Sequence, residues 1–258
     1  MLFIEMLCCS MMTSFLSLFS YKACYKCKKK ITGLKYSLVC KDCINVELNP
    51  LVQKVSTYLS DQERVFYAFE YSDKFFQKLI KDLKYRNKFL SFNWGEILAY
   101  KLSNLSNIVY DSLIKADEIN KIYISYVPIH LNKLKSRKFN QSELIARNFV
   151  KSSSGGLAKN NKKVYFVNDL FIRHRDTPVL YDKKSIDRES ILEDSFSINQ
   201  ENWAMLNSKL KANDQIWIID DICTTGITLR SLIRILVSKG MDSESILGLA
   251  CTGRNFKT

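Results

Sequence analysis

The sequence predicts an α/β fold: a mostly parallel sheet flanked by helices, with a small N-terminal four-cysteine zinc knuckle ahead of it. Three observations carry this. Residues 216–219 are continuously apolar, like a strand buried on both faces, and they run into Asp220-Asp221, a hydroxyl-rich loop and a helical pattern. Further apolar stretches at 122–128, 164–167 and 245–252 alternate with segments of helical period. Two Cys-x2-Cys pairs lie near the start.

Size and charge set the frame. The 258 residues suffice for one α/β domain with an appendage, and 47% apolar content supports a substantial core. The net charge of +13 points to anionic partners, or to a lysine-rich solvated surface, since the lysines are spread along the chain.

Residues 1–20 are mostly apolar. Glu5 and the interspersed Ser10, Thr13, Ser14 and Ser17 argue against a membrane span, and no basic residue precedes Lys22, as a signal peptide would require. A short packing helix and no stable membrane span are expected, with a weakly membrane-associated segment as the alternative.

Residues 21–48 form the expected knuckle. Cys24 and Cys27 are separated by twelve residues from Cys40 and Cys43, and neither histidine of the chain is nearby. Four thiolates at this spacing can hold Zn²⁺ tetrahedrally. Free thiols and a redox pair are the alternatives. Neither pair sits between a strand and a helix, and paired Cys-x2-Cys spacing favours structural zinc in a reducing, cytoplasmic compartment.

The remainder, 49–258, reads as the main domain. Residues 46–60 suggest an amphipathic linker helix and 65–71 a strand. Ser72 or Asp73 can cap a helix carrying Phe76, Leu79, Ile80 and Leu83. A further helix is expected near 92–102. Lys74, Lys78, Lys81, Lys84 and Lys88 are most simply a solvated face. The strand at 122–128 ends in a basic loop with His130, Lys133, Lys135, Arg137 and Lys138, charges that suit a diphosphate. Asn140 with Glu143 resembles a capping box, after which Ile145 and Phe149 turn inward. The polar segment 173–190 is expected as a mobile lid or a plain surface loop.

The segment Asp220-Asp221-Ile222-Cys223-Thr224-Thr225-Gly226-Ile227-Thr228 carries the chemistry. A loop opening a helix offers free N–H groups to an anion, Gly226 permits close approach, and the threonines can donate to phosphate oxygens. Two carboxylates at the carboxyl end of a strand can accept from vicinal sugar hydroxyls or hold hydrated Mg²⁺. A ribose 5-phosphate is the natural ligand. Leu229, Leu232, Ile233, Leu236 and Val237 follow at helical spacing, and Gly240 closes the helix. Cys223 and Cys251 are not expected as metal ligands.

Four apolar residues, Asp-Asp, then x-x-Thr-Thr-Gly-x-Thr closely resemble the phosphoribosyl diphosphate signature of type I phosphoribosyltransferases. Beyond the first twenty or so residues the chain resembles the ComF family, phosphoribosyltransferase-like proteins linked to bacterial competence. The matching pieces are Cys24/Cys27/Cys40/Cys43, Val127-Pro-Ile-His-Leu131, Arg137-Lys-Phe-Asn-Gln141 with Leu144-Ile-Ala-Arg147, Arg173-x-Arg-x-Thr177, Arg188 and Asp220 to Thr228. The resemblance implies a type I phosphoribosyltransferase fold with an N-terminal zinc segment. It implies that Asp220 and Asp221 hold the ribose hydroxyls and serve catalysis. Thr224 to Thr228 would hold the 5′-phosphate, and the loop with His130, Lys133 and Arg137 would meet the diphosphate with Mg²⁺. Departures fall in the basic loop and the lid segment, while the ribose-phosphate loop is intact: Lys138 replaces a usual glycine, Val179-Leu180-Tyr181 replaces an expected Gln, and Ile191 an expected Asn. They suggest retained ligand binding with altered acceptor chemistry.

Two classes of function follow. One is pentosyl transfer from phosphoribosyl diphosphate. The other is a non-catalytic adaptor in DNA uptake, meeting single-stranded DNA or a helicase-like competence protein through its basic surface.

Overall fold

The structure, a computed structural model, describes residues 23–24, 27–30, 64–72, 74–85, 120–156, 163–176 and 194–253. The expected N-terminal helix, Cys40 and Cys43, the helices near 46–60 and 92–102, and most of the segment 173–190 lie outside these residues. The chain divides into two compact units, Met1–Asn49 and Pro50–Thr258.

In the first unit Ala23 and Lys30 form an antiparallel bridge. The Cys24 N–H donates to the Lys29 carbonyl (2.7 Å) and the Lys28 N–H to the Cys24 carbonyl (2.9 Å). Lys28 turns the chain in the left-handed region (φ 64°). Cys24 is buried and Cys27 exposed at the turn.

The second unit is built on five parallel strands: β1 (Val65–Glu70), β2 (Lys121–Tyr126), β3 (Lys163–Phe166), β6 (Gln215–Cys223) and β7 (Ile246–Gly253). Their order is β1-β7-β6-β2-β3. Strands β4 (Phe171–Arg173) and β5 (Phe196–Ile198) form a separate antiparallel pair. Among the described residues the helices are α1 (Lys74–Tyr85), α2 (Leu131–Arg137), α3 (Gln141–Gly156), α4 (Gln200–Asn207) and α5 (Ile227–Ser238).

Strand β6 is the centre because its sequence tolerates burial on both faces. Ile216, Trp217, Ile218 and Ile219 are all fully buried. Alternation sends Ile216 and Ile218 into the core with Leu229, Leu232, Ile233 and Leu236 of α5. Trp217 points to the other face, where its ring meets Phe149 of α3 at 6.3 Å between centroids. Each such side chain contributes about 1.5–3 kcal/mol on burial. Val237, expected on the inner stripe, is instead exposed, one position past the arc that faces the sheet. Gly240 ends α5 as expected, at φ 90°, with its N–H on Val237 and the Met241 N–H on Leu236, a Schellman closure.

The connections place a crevice. From β2 the chain leaves through α3 to β3; from β6 it leaves through α5, on the opposite face, to β7. Neighbouring β2 and β6 are therefore the point where the winding reverses, and ligands of open α/β sheets bind beyond the carboxyl ends of such strands. At the far edge Gly253 closes β7 against the Tyr67 ring; a Cβ there would run into the ring carbons, which leaves no room for any other residue. Among the described residues no helix is long and apolar enough to cross a membrane.

Candidate functional site

Both groups of residues singled out by sequence stand at the carboxyl ends of β2 and β6. The acidic pair does not follow the strand, as its apolar run suggested. It lies within it, because pairing with β7 continues to Cys223. Both carboxylates are consequently buried. Asp220 Oδ1 accepts from Ser142 Oγ at the start of α3 (3.0 Å) and from the Asp221 N–H (2.8 Å). Asp221 Oδ2 faces Lys84 Nζ of α1 at 2.8 Å, with side chains only 11% and 21% exposed.

The electrostatics follow from the burial. Desolvation, then the charge of Asp221, pushes the Asp220 carboxyl up to about 7. For Lys84, desolvation works against the charge, but the Asp221 carboxylate outweighs it and the ammonium is held above its ordinary range. Cys223 and Cys251 are buried thiols pushed upward first by desolvation and then by the acids, Cys223 to about 12, so neither is a ready thiolate.

Beyond the acids the chain makes the expected loop. Thr224 and Thr225 are exposed, and Gly226 turns at φ 72° as the residue before α5, a geometry that favours glycine. Residues Ile222 to Leu229, with Asp220, line a small hollow of about 30 Å³. A larger groove of about 800 Å³ shares Ile222 and Thr224 with it and is lined by Lys74, Lys78, Lys81 and Lys84 and by Tyr71 and Tyr85.

The basic segment after β2 is a short helix rather than an open loop. His130 caps α2, its Nδ1 accepting from the Asn132 N–H (3.3 Å). Arg137 at the other end donates to Gln141 (3.1 Å) and lies over the Tyr85 ring at 5.2 Å. Lys138, the C-cap of α2, turns at φ 68°. Asn140 caps α3 through Ser142 N–H (3.0 Å) and ties it to Val127 O (2.9 Å). Glu143 departs from the capping box and pairs with Arg147 at 2.8 Å.

Lys133 is pushed below the usual lysine range by burial and by the neighbouring Arg173 charge. Arg173, on β4, is lowered by burial, although Asp220 and Asp176 oppose that shift. Arg173 thus connects the two poles electrostatically. Lys84, expected on a solvated face, is a correction: four residues after Ile80, it stands on the buried stripe of α1. That spacing was the available signal for it. Ser142 carried no such signal. Tyr123 and Tyr126 are core residues.

No family model matches this chain, and no curated protein matches it. Among the described residues no group of three or more His, Cys, Asp or Glu is gathered as a metal site.

Proposed function

We propose that this crevice binds phosphoribosyl diphosphate or a related ribose 5-phosphate, in a ComF-like protein with a role in DNA uptake. The observation that carries the reading is the pair Asp220 and Asp221, buried at the switch point and followed directly by the Gly226 turn into α5. Ser142, the Asp221 N–H and Lys84 meet part of the acceptor capacity of these buried carboxylates, and vicinal ribose hydroxyls would supply two further donors. The 5′-phosphate would lie on the turn, and the diphosphate toward Lys133, Arg137 and His130. Mg²⁺ would be held by the acids and the diphosphate, and when bound it would neutralise the leaving group. In pentosyl transfer the acids position the sugar, and their field favours positive charge developing at C1. Structural zinc would be held by Cys24, Cys27, Cys40 and Cys43; the tight turn around Cys24 suits a knuckle.

Titration of the zinc-loaded protein with phosphoribosyl diphosphate and Mg²⁺, beside Asp220→Asn/Asp221→Asn, tests this. Binding by wild type that the variant loses at least 100-fold is expected, from two charge-assisted hydrogen bonds of about 1.5–3 kcal/mol each. A folded wild type that does not bind would sink the reading.

The lysine-lined groove with Tyr71 and Tyr85 favours a second reading, an adaptor that binds single-stranded DNA. Its signature is an affinity that falls steeply with salt and is indifferent to the Asp220/Asp221 substitutions.

A further inference from the structure

One carboxylate stands inside the basic pole. Asp176, three residues beyond β4, receives Asn132 Nδ2 at 3.3 Å, lies 3.5 Å from Lys133 Nζ and 3.6 Å from His130 Nδ1. The histidine contributes least: its Nδ1 already accepts from the Asn132 N–H, so it cannot also donate to the carboxylate while neutral. Asn132 and Lys133 therefore hold Asp176, and both belong to α2, the segment with the charge and geometry for a diphosphate.

The charge balance is uneven. Lys133 and Arg173 are each depressed by burial and by like charge, Arg137 adding to the crowding around both. Asp176 brings a single negative charge to this group. A diphosphate brings more, with oxygens that can meet several donors at once.

We propose that Asp176 is an internal anion that competes with phosphate groups of the ligand for Asn132 and Lys133, so that diphosphate binding proceeds by exchange of the carboxylate for the other anion. The inference rests on the proposed function only in taking α2 as the diphosphate pole. Affinity is then multiplied by the fraction of time the carboxylate leaves the donors open. Asp176 is exposed enough to swing away, so the exchange requires no rearrangement of the sheet.

The test is titration of the full chain with inorganic pyrophosphate at fixed low salt. Asp176→Asn is expected to bind about tenfold more tightly than wild type, which corresponds to a site held by the carboxylate about nine-tenths of the time. Glu244→Gln removes an equal charge just before β7, at the amino ends of the parallel strands and so at the opposite end of the sheet from the crevice, and is expected to leave affinity unchanged. Equal affinities for wild type and Asp176→Asn would overturn the proposal. So would an equal gain in Glu244→Gln, or no pyrophosphate binding by any folded variant. Repeating the pair in the Asp220→Asn/Asp221→Asn background separates the two readings. A tenfold gain there supports the competitor even if phosphoribosyl diphosphate fails to bind the wild type.

Discussion

The acidic and basic poles of the crevice are built by opposite means. Asp220 and Asp221 are fixed by the backbone of the central strand, buried, and braced by Ser142 and Lys84. The basic pole hangs on a seven-residue helix with no buried residue, and its charges are placed by side-chain reach. One pole is preorganised at the cost of desolvated charge, whereas the other is cheap and adjustable. On the proposed reading, recognition of a sugar diol would gain from the first, and capture of a mobile diphosphate would tolerate the second.

Removing one lysine from each pole should expose this difference most strongly. Lys84→Met leaves Asp221 as a buried charge without its counter-ion, and a loss of roughly 2–4 kcal/mol in unfolding free energy is expected. Lys133→Met removes a half-buried lysine whose contact with the exposed Asp176 is long (3.5 Å), and should cost under about 1 kcal/mol. Paired urea denaturation curves would measure both. Similar losses at the two positions would mean that the acidic pole is not desolvated as its burial implies.

This contrast also explains what was legible in the sequence. The order strand, acids, loop, helix is local, so apolar run and helical spacing disclosed β6 and α5 together with their phosphate-sized turn. The His130, Lys133 and Arg137 grouping was equally local. Lys84, Ser142 and Asp176 reach the site from α1, α3 and the end of β4, and their roles depend on strand order. Nothing in the spacing of Asp176 from Lys133 says that they meet. The switch point between β2 and β6 was likewise hidden, because parallel strands distant in sequence become neighbours only once the sheet is assembled.

A smaller effect is expected from pH. The Asp220 carboxyl is raised from 3.8 to about 7 by burial and then by Asp221, so the folded state holds this proton more tightly than the unfolded chain does. Its contribution to stability is complete below about pH 4 and is lost as pH rises toward 7. Ligand binding should run the other way, since ribose hydroxyls need ionised acceptors. Affinity for phosphoribosyl diphosphate should fall about tenfold per unit as pH drops below that range. In Asp220→Asn this acid limb should disappear. Its persistence would assign the titration to another group, the ligand's own phosphates first among them.

The gentlest probe is Lys138. It links α2 to Asn140, the cap of α3, and does so at φ 68°, a conformation that costs a non-glycine residue about 1–2 kcal/mol. Lys138→Gly relieves that strain but gains freedom in the unfolded chain, so a net stabilisation of about 0.5–1 kcal/mol is expected in thermal or urea melts. The same substitution removes one exposed charge beside the basic pole. If that charge serves the ligand, pyrophosphate affinity should fall while stability rises. If only the turn matters, stability should rise alone. A loss of stability would show that the lysine, although left-handed, is held by contacts worth more than the strain, and the basic pole would then be less adjustable than its exposure suggests.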